Sequence, residues 1–259
     1  MGSAKIQGEL WSQAPKDWTE LQEPLHTPLW QAMLLATGVD DGTRVLDAGC
    51  GAGGLCKLAR EKGAKVSGLD ASETLVSIAR AQMPDAEFRT GDLEDLPYAD
   101  NSFDVVLAAN SVQYAADQIA ALAELKRVTK PGGRIAVAVW GQAKNCETRH
   151  VLKAVAEAMP DPPKGGGPFA LSEPGALEAL LAKAGIKSDG RDEVACPYVY
   201  GDVATAWRGT ASVGPVQGAM RAAGVEPIKE AATKAIQQFV RNDGKVHFDN
   251  TMLYVTATV

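Results

Sequence analysis

Four acidic or polar residues lie where apolar segments of the sequence meet their loops, and their side chains suit one ligand. Asp47, Asp70, Asp92 and Asn110 each follow a segment that has the pattern of a buried strand. Parallel strands of an open α/β sheet bind ligands at their carboxyl ends. Three carboxylates and one amide carbonyl would accept hydrogen bonds from amines and hydroxyl groups, and the carboxylates would attract a cation.

A glycine loop separates Asp47 from the helix predicted after the first strand. Gly49, Gly51 and Gly54 satisfy the pattern G-x-G-x-x-G, which is typical of loops that bind the pyrophosphate of NAD or FAD. The carboxylate just before the first glycine opposes that interpretation, because at about 4 Å and an effective dielectric near 20 it would repel a phosphate by roughly 4 kcal/mol. It would attract an ammonium or sulfonium group equally strongly. The loop therefore favours a cationic ligand, and an NAD-dependent oxidoreductase is the alternative.

The elements that must position these residues alternate between strand and helix. Apolar segments with strand character end at Asp47, Asp70, Thr90 and Asn110, and amphipathic helices lie between most of them. A fifth strand is predicted over residues 134–140, a sixth over 192–200, and a final antiparallel strand over 245–259. Strand-helix alternation with short connections predicts parallel pairing with right-handed crossovers, and hence a doubly wound sheet.

The side chains at the strand ends match the parts of a single ligand. Asp70 is placed for the two hydroxyls of a ribose, Asp92 for the exocyclic amine of adenine, and Asp47 and Asn110 for an ammonium or sulfonium group. An adenine, a ribose with free hydroxyls, a sulfonium and an amino acid tail occur together in S-adenosylmethionine. The sequence therefore predicts S-adenosylmethionine as the cofactor.

Four segments carry a resemblance to a known family: "VLDAGCGAGG", "VSGLD", "GDLEDLPYADNSFDVV" and "LKRVTKPGGRIAVAVW". They resemble the successive motifs of class I S-adenosylmethionine-dependent methyltransferases, in particular the quinone-biosynthesis-like small-molecule branch, over about residues 41–140. The resemblance implies a Rossmann-like, doubly wound α/β fold with a mostly parallel seven-stranded sheet, a final antiparallel strand and a helical lid. It also implies cofactor contacts from Gly49, Cys50 and Gly51 to the amino acid tail, from Asp70 and Ala71 to the ribose and adenine edge, from Asp92 and Leu93 to the adenine, and from Asn110 and Ser111 to the amine and the transferable methyl group.

The chain is predicted to divide into four segments. Residues 1–40 form a helical arm over the cofactor mouth, 41–141 the cofactor-binding core, 142–241 a lid that binds the acceptor and contains the sixth strand, and 242–259 the final strand. Specificity in such folds lies outside the shared core. Aromatic residues in the arm and lid predict a small, partly apolar or aromatic acceptor, enclosed by a lid that is hinged near Gly165, Gly166 and Gly167.

Three residues are candidates to assist methyl transfer. The reaction needs the reacting atoms to be aligned, and it needs a general base only when the acceptor is a hydroxyl or a protonated amine. His26, before the N-terminal helix, and His150, on a helix after the fifth strand, are candidate bases, and Tyr114 is a candidate to orient the acceptor. The attacking atom (O, N or C) stays open, and so does the alternative of a protein that binds the cofactor without turnover.

Charge and composition argue against several other classes of protein. A net charge of −6 and the lack of a Lys/Arg run disfavour a nucleic-acid partner. No apolar run is long enough to span a bilayer, the four cysteines form no C-x-x-C pair, and the loop after the fourth strand offers too few ligands for a metal. We expect a cytoplasmic monomer or homodimer with a small-molecule acceptor and no membrane, nucleic-acid or metal partner.

Overall fold

The core of the structure, a computed structural model that describes residues 2–162 and 167–259, is a doubly wound sheet. Its strands are β1 (Arg44–Ala48), β2 (Lys65–Asp70), β3 (Glu87–Thr90), β4 (Phe103–Ala109), β5 (Thr129–Trp140), β6 (Ser188–Ala195) and β9 (Thr251–Thr258), and a second sheet contains β7 (Tyr198–Tyr200) and β8 (Val246–Phe248). The order is β3-β2-β1-β4-β5-β9-β6; β1 to β5 pair in parallel, and β9 runs antiparallel to β5 and β6. The predicted seven-stranded, mostly parallel sheet with a final antiparallel strand is confirmed.

Strand β4 shows why these apolar segments form the middle of the sheet. Val105, Val106, Leu107 and Ala108 are all buried. Because successive side chains of a strand point to opposite faces, Val105 and Leu107 join one apolar cluster, whereas Val106 and Ala108 join the other. A strand buried on both faces needs such a continuous apolar run. The chain winds outward in both directions from β1 and β4, and this reversal opens a crevice at their carboxyl ends.

Two segments predicted as single strands are each divided between the two sheets. Residues 192–200 contribute the end of β6 and, after Pro197, the whole of β7; residues 245–259 contribute β8 and, after Asn250, β9. Strands β7 and β8 pair with each other in antiparallel fashion. Proline cannot donate a hydrogen bond to a strand ladder, and the Cys196 amide before it donates to the Asn250 carbonyl. Only the β9 part of the C-terminal segment therefore belongs to the main sheet.

Helices cover the sheet and extend beyond it: α1 (Ala4–Trp11), α2 (Pro15–Asp17), α3 (Thr27–Ala36), α4 (Gly54–Glu61), α5 (Glu73–Gln82), α6 (Gln118–Val128), α7 (Thr148–Glu157), α8 (Ala176–Lys183), α9 (Val203–Ala211), α10 (Gly214–Ala223) and α11 (Val225–Ile236). Ser72 caps α5, because the Leu75 amide donates to its Oγ at 3.2 Å. The predicted lid hinge lies mostly outside the described residues, since Gly165 and Gly166 are not among them and only Gly167 is.

From here on, the arm denotes residues 3–26 of the predicted 1–40 segment. These residues lie between the core and the helices that follow β5. On the core side, Ser12 Oγ is 2.7 Å from Ser72 Oγ, at the start of α5. On the other side, the Tyr200 hydroxyl donates to Gln22 Oε1 at 2.6 Å. The arm is thus fixed at both ends of the crevice by contacts between residues that are far apart in the chain.

The described parts of the chain have neither a membrane-spanning helix nor a metal-binding cluster of side chains. No helix there is long and apolar enough to cross a bilayer. Within the same residues, no group of three or more His, Cys, Asp and Glu side chains is arranged to hold a metal ion.

Candidate active site

A cavity of about 130 Å³ opens at the carboxyl ends of β1, β2 and β4. All the residues predicted to bind the cofactor line it: Asp47, Gly49, Cys50, Gly51, Asp70, Ala71, Asp92, Leu93, Asn110 and Ser111. The arm supplies further walls, among them Trp11, Trp18 and Glu23. The fold therefore gathers the strand-end residues into one site and closes that site with a segment from outside the core.

The glycine loop adopts a backbone that requires glycine at its first position. Gly49 has φ of +96°, and a Cβ placed there would lie 2.2 Å from the Cβ of Ser111. Ser111 is held in place because its hydroxyl donates to the Ala48 carbonyl at 2.6 Å. The ends of β1 and β4 thus approach each other so closely that only backbone fits between them.

Asp70 connects the end of β2 to the glycine loop. Its Oδ2 accepts a hydrogen bond from the Gly51 amide at 2.9 Å, and its Oδ1 accepts one from the Ser72 amide at 2.9 Å. Each carboxylate oxygen keeps a second lone pair, so the side chain can still accept from the two hydroxyls of a ribose in the cavity. Burial raises the pKa of Asp70 above its ordinary value.

Asp47 lines the cavity and has one buried oxygen without a hydrogen-bond partner. The residue is only 2% exposed, its Oδ1 makes no hydrogen bond, and its Oδ2 receives only a weak thiol contact from Cys56, at 3.7 Å. Burial, and secondarily the charge of Asp70, raises the pKa of Asp47 to about 7. A buried acceptor that the protein leaves unsatisfied indicates a donor from a ligand. An ammonium group fits this position, so the residues present are compatible with S-adenosylmethionine.

Glu23 is a second buried carboxylate, which sequence reasoning missed. It lies in the arm, is 5% exposed, and its Oε1 accepts a hydrogen bond from the Ala52 amide at 2.8 Å. Its pKa is raised to about 8, chiefly by burial and to a smaller extent by the charge of Asp47, whereas the hydrogen bond from the Ala52 amide opposes the shift. Its position before Pro24 carries no periodic or motif signal. Only its contact with a loop 29 positions away reveals its place.

His26 and Tyr114 line the cavity, whereas His150 does not. His26 is 7% exposed, with Nδ1 3.3 Å from the Glu23 carbonyl and Nε2 3.1 Å from the Tyr198 hydroxyl. If Nδ1 donates to that carbonyl, Nε2 accepts from Tyr198. Burial lowers the pKa of His26 to about 4, so the ring is neutral at pH 7.

Tyr114 and His150 differ in burial. Burial raises the pKa of Tyr114 to about 12, so its hydroxyl stays protonated. His150 is exposed on α7, where its ring packs at 5.7 Å from that of Phe239. The helical pattern that suggested His150 does not say which face of α7 meets the cavity. Of the three candidates, the fold brings only His26 and Tyr114 to the site.

Aromatic rings form the wall of the cavity beyond the carboxylates. Trp11 meets Trp18 edge to face at 4.9 Å and Tyr114 at 5.6 Å. Trp30 and Trp140 also line the space. Among the described lining residues, the acidic side chains are Glu23, Asp47, Asp70 and Asp92, and none is a lysine or arginine. The cavity wall therefore combines acidic groups with aromatic rings.

We expect Glu23→Gln to stabilise the ligand-free protein as pH rises. The pKa of Glu23 is about 8 in the folded protein against 4.5 ordinarily, so between these values unfolding releases a proton and wild-type stability falls with increasing pH. The variant keeps an acceptor for the Ala52 amide and has no such proton. Urea unfolding should give similar stabilities at pH 4.5 and an advantage for E23Q on the order of 3 kcal/mol at pH 8.5. Glu20→Gln, an exposed arm carboxylate, is the control, and an equal response of both variants would contradict the expectation.

The fold and site together define a doubly wound α/β protein with an acidic cavity at the carboxyl ends of its central strands. Comparison with known proteins agrees, because residues 46–137 match the family described as "Methyltransferase domain". The chain is 34% identical over 135 residues to the demethylmenaquinone methyltransferase of Renibacterium salmoninarum. This alignment covers 50% of this chain and 57% of that protein. It is 40% identical over 94 residues to the malonyl-[acyl-carrier protein] O-methyltransferase of Serratia marcescens, covering 36% and 37%.

A solved structure with the same fold covers nearly the whole chain. It is the complex of the Haloferax volcanii Trm112 methyltransferase activator with a methyltransferase, and it aligns with a TM-score of 0.61 at 24% identity over 96% of this chain and 95% of that one. At this identity the likeness shows the fold. The matched regions span 57% and 37% of the two curated relatives. Residues 46–137 therefore match a methyltransferase domain, similar to that of the class I S-adenosylmethionine-dependent methyltransferases, whose cofactor is S-adenosylmethionine.

Proposed function

We propose that the protein transfers a methyl group from S-adenosylmethionine to a small, partly apolar or aromatic acceptor. The observation that carries this proposal is a cavity whose wall combines acidic side chains with aromatic rings. S-adenosylmethionine supplies a methyl group on a sulfonium, which is already activated for in-line displacement. The protein's task is to hold the reacting atoms in line, and an NAD-dependent oxidoreductase is not favoured.

The residues of the core are assigned to parts of the cofactor. Asp47 holds the ammonium of the tail beside Gly49, Cys50 and Gly51; Asp70 and Ala71 take the ribose and adenine edge; Asp92 and Leu93 take the adenine; and Asn110 and Ser111 lie near the amine and the methyl group. This assignment is supported by the shared position of these residues on the cavity wall. It is also supported by the unpaired Oδ1 of Asp47.

The charge of the cavity limits the acceptor to uncharged or cationic molecules. A carboxylate or phosphate on the acceptor would meet acidic side chains with no lysine or arginine among the described lining residues. The aromatic rings of Trp11, Trp18 and Trp140 suit a planar acceptor. For a hydroxyl or ammonium acceptor, His26 is the candidate base once Tyr198 gives up its hydrogen bond, and Tyr114 is the candidate orienting group. His150 lacks such support, because it lies outside the cavity.

A labelled-methyl screen tests the proposal. The protein is incubated with radiolabelled S-adenosylmethionine and metabolite extracts separated into neutral, cationic and anionic pools. We expect label in the neutral or cationic pool, on oxygen, nitrogen or carbon. Label confined to the anionic pool would contradict the acceptor class. Cofactor binding without transfer to any pool would favour a non-catalytic binding protein, and tight binding of NADH would favour an oxidoreductase.

We also propose the location and assembly of the protein. The four free, buried cysteines support a cytoplasmic location, and the net charge of −6 supports a partner other than nucleic acid. We propose a monomer or homodimer without a membrane partner, in which residues 1–40 cover the cofactor mouth, 41–141 bind the cofactor and 142–241 bind the acceptor. Of residues 242–259, β9 completes the core sheet. Gel filtration with light scattering tests the assembly.

A further inference from the structure

The backbone amides of the glycine loop are all engaged by the protein itself. In dinucleotide-binding proteins, amides of this loop and of the following helix receive the pyrophosphate. Here each amide from position 49 to position 53 has an internal acceptor: Gly49 and Cys50 donate to the Leu69 carbonyl, Gly51 to Asp70, Ala52 to Glu23, and Gly53 to the Cys50 carbonyl. The loop therefore offers no free amide to an anion.

Glu23 takes the place of the anion at this loop. Its Oε1 receives the Ala52 amide at 2.8 Å, and a Cβ added at Gly51 would lie 2.8 Å from the same oxygen. The carboxylate thus sits directly against the loop backbone, just before α4. Glu23 belongs to the arm, so this one side chain connects the arm to the glycine loop.

We propose that Glu23 selects the cofactor, by filling the anion position of the glycine loop and by receiving, together with Asp47, the ammonium of the amino acid tail. This inference rests on the proposed function. Asp47 supplies the independent observation, because this residue lines the cavity and its buried Oδ1 has no hydrogen-bond partner. A ligand ammonium between two buried carboxylates has donors for both.

The described titratable groups around Glu23 include no cation that would stabilise its ionised form. The titratable groups that face it are Asp47 on β1, Cys50 and Cys56 on the loop and α4, and His26 at the end of the arm, with Asp70 beyond Asp47. None of these groups is a cation at pH 7, since burial keeps His26 neutral by lowering its pKa to about 4. A bound ammonium would favour the ionised carboxylates, so binding should release protons at pH 7.

Binding of truncated ligands to Glu23→Gln tests this role. Calorimetry at pH 7.5 compares S-adenosylhomocysteine, which has the tail, with 5′-methylthioadenosine, which lacks both its ammonium and its carboxylate. We expect E23Q to weaken the binding of S-adenosylhomocysteine roughly 10- to 100-fold and the binding of methylthioadenosine less than about threefold. Only S-adenosylhomocysteine loses a charge-assisted hydrogen bond. Titrations in two buffers of different ionisation enthalpy should show proton release on S-adenosylhomocysteine binding, and less of it in E23Q.

A control variant and the wild-type protein distinguish a ligand-binding role of Glu23 from a structural role. Glu20→Gln makes the same charge change at an exposed position of the arm and should leave both affinities unchanged. Equal weakening of both ligands by E23Q would assign Glu23 a purely structural role and overturn the inference, as would equal effects of E20Q and E23Q. If E23Q does not fold, proton release by the wild type with methylthioadenosine equal to that with S-adenosylhomocysteine overturns it. Failure of the wild type to bind either ligand would instead overturn the proposed function.

Discussion

Replacing Asp70 with alanine is expected to weaken binding of S-adenosylmethionine about 100-fold or more, because two hydrogen bonds from the ribose hydroxyls to a carboxylate are each worth roughly 1.5–3 kcal/mol. The same change leaves the Gly51 and Ser72 amides without their acceptor, so the glycine loop loses one of its links to β2 and keeps those to the Leu69 carbonyl. Calorimetric titration with S-adenosylmethionine and S-adenosylhomocysteine gives the affinity. Thermal unfolding of the free protein gives the accompanying loss of stability.

Two further variants make the Asp70 experiment specific. Asp70→Asn keeps the size of the side chain but turns an amide donor towards one of the two backbone donors, so we expect it to weaken binding as well. Asp85→Ala removes an exposed aspartate that pairs with Arg60, and its affinity should stay within about threefold of wild type because a surface ion pair contributes little. A folded Asp70→Ala protein with wild-type affinity would show that this aspartate does not bind the ribose.

The second large effect is expected for Gly49→Ala, which should destabilise the protein by more than about 4 kcal/mol or prevent folding. The added Cβ would lie 2.2 Å from the Cβ and 2.9 Å from the Oγ of Ser111. The φ of +96° adds strain for any residue with a side chain. Relief of the collision would require β1 and β4 to separate at the point where both contribute to the cofactor site. Urea unfolding and cofactor titration measure the two consequences.

Gly42→Ala is the matched control for Gly49→Ala. Gly42 has φ of +79°, but a Cβ there would meet nothing within 4 Å. Gly42→Ala should therefore destabilise the protein only by the strain of a left-handed backbone, about 1–2 kcal/mol, and leave cofactor affinity unchanged. Ser111→Gly in the Gly49→Ala background should restore part of the lost stability, since it removes the side-chain atoms that collide with the added Cβ. Equal costs of Gly42→Ala and Gly49→Ala would contradict the close approach of β1 and β4.

The cofactor end of the site could be predicted because its residues are tied to local patterns. Asp47, Asp70 and Asn110 come at or directly after the ends of strands with apolar sequence, and such ends lie at one edge of a parallel sheet. The structure brings them to one cavity. The same logic predicted the order of strand and helix and the final antiparallel strand. It failed where tertiary contacts interrupt a pattern, as at Pro197 and Asn250, where two apparent strands are shared between sheets.

The acceptor end could not be predicted in the same way. His26 and His150 looked alike as histidines near helices, but one is enclosed by Glu23 and Tyr198 and the other is exposed on α7. Which face of a helix meets a cavity depends on how helices from distant segments pack. Nothing in the local spacing of either histidine carries that information.

The amino-acid sequence by itself determined the doubly wound sheet, the glycine loop and the row of carboxylates that suit a phosphate-free cationic nucleoside. Hydrophobic periodicity and strand-end positions express these features over a few residues. Only the tertiary structure decided that Glu23 accepts a hydrogen bond from the Ala52 amide of the glycine loop and that the ring of His26 is paired with Tyr198. These contacts join residues 29 and 172 positions apart, and the folding of the arm against the core and the segment after β6 brings them together.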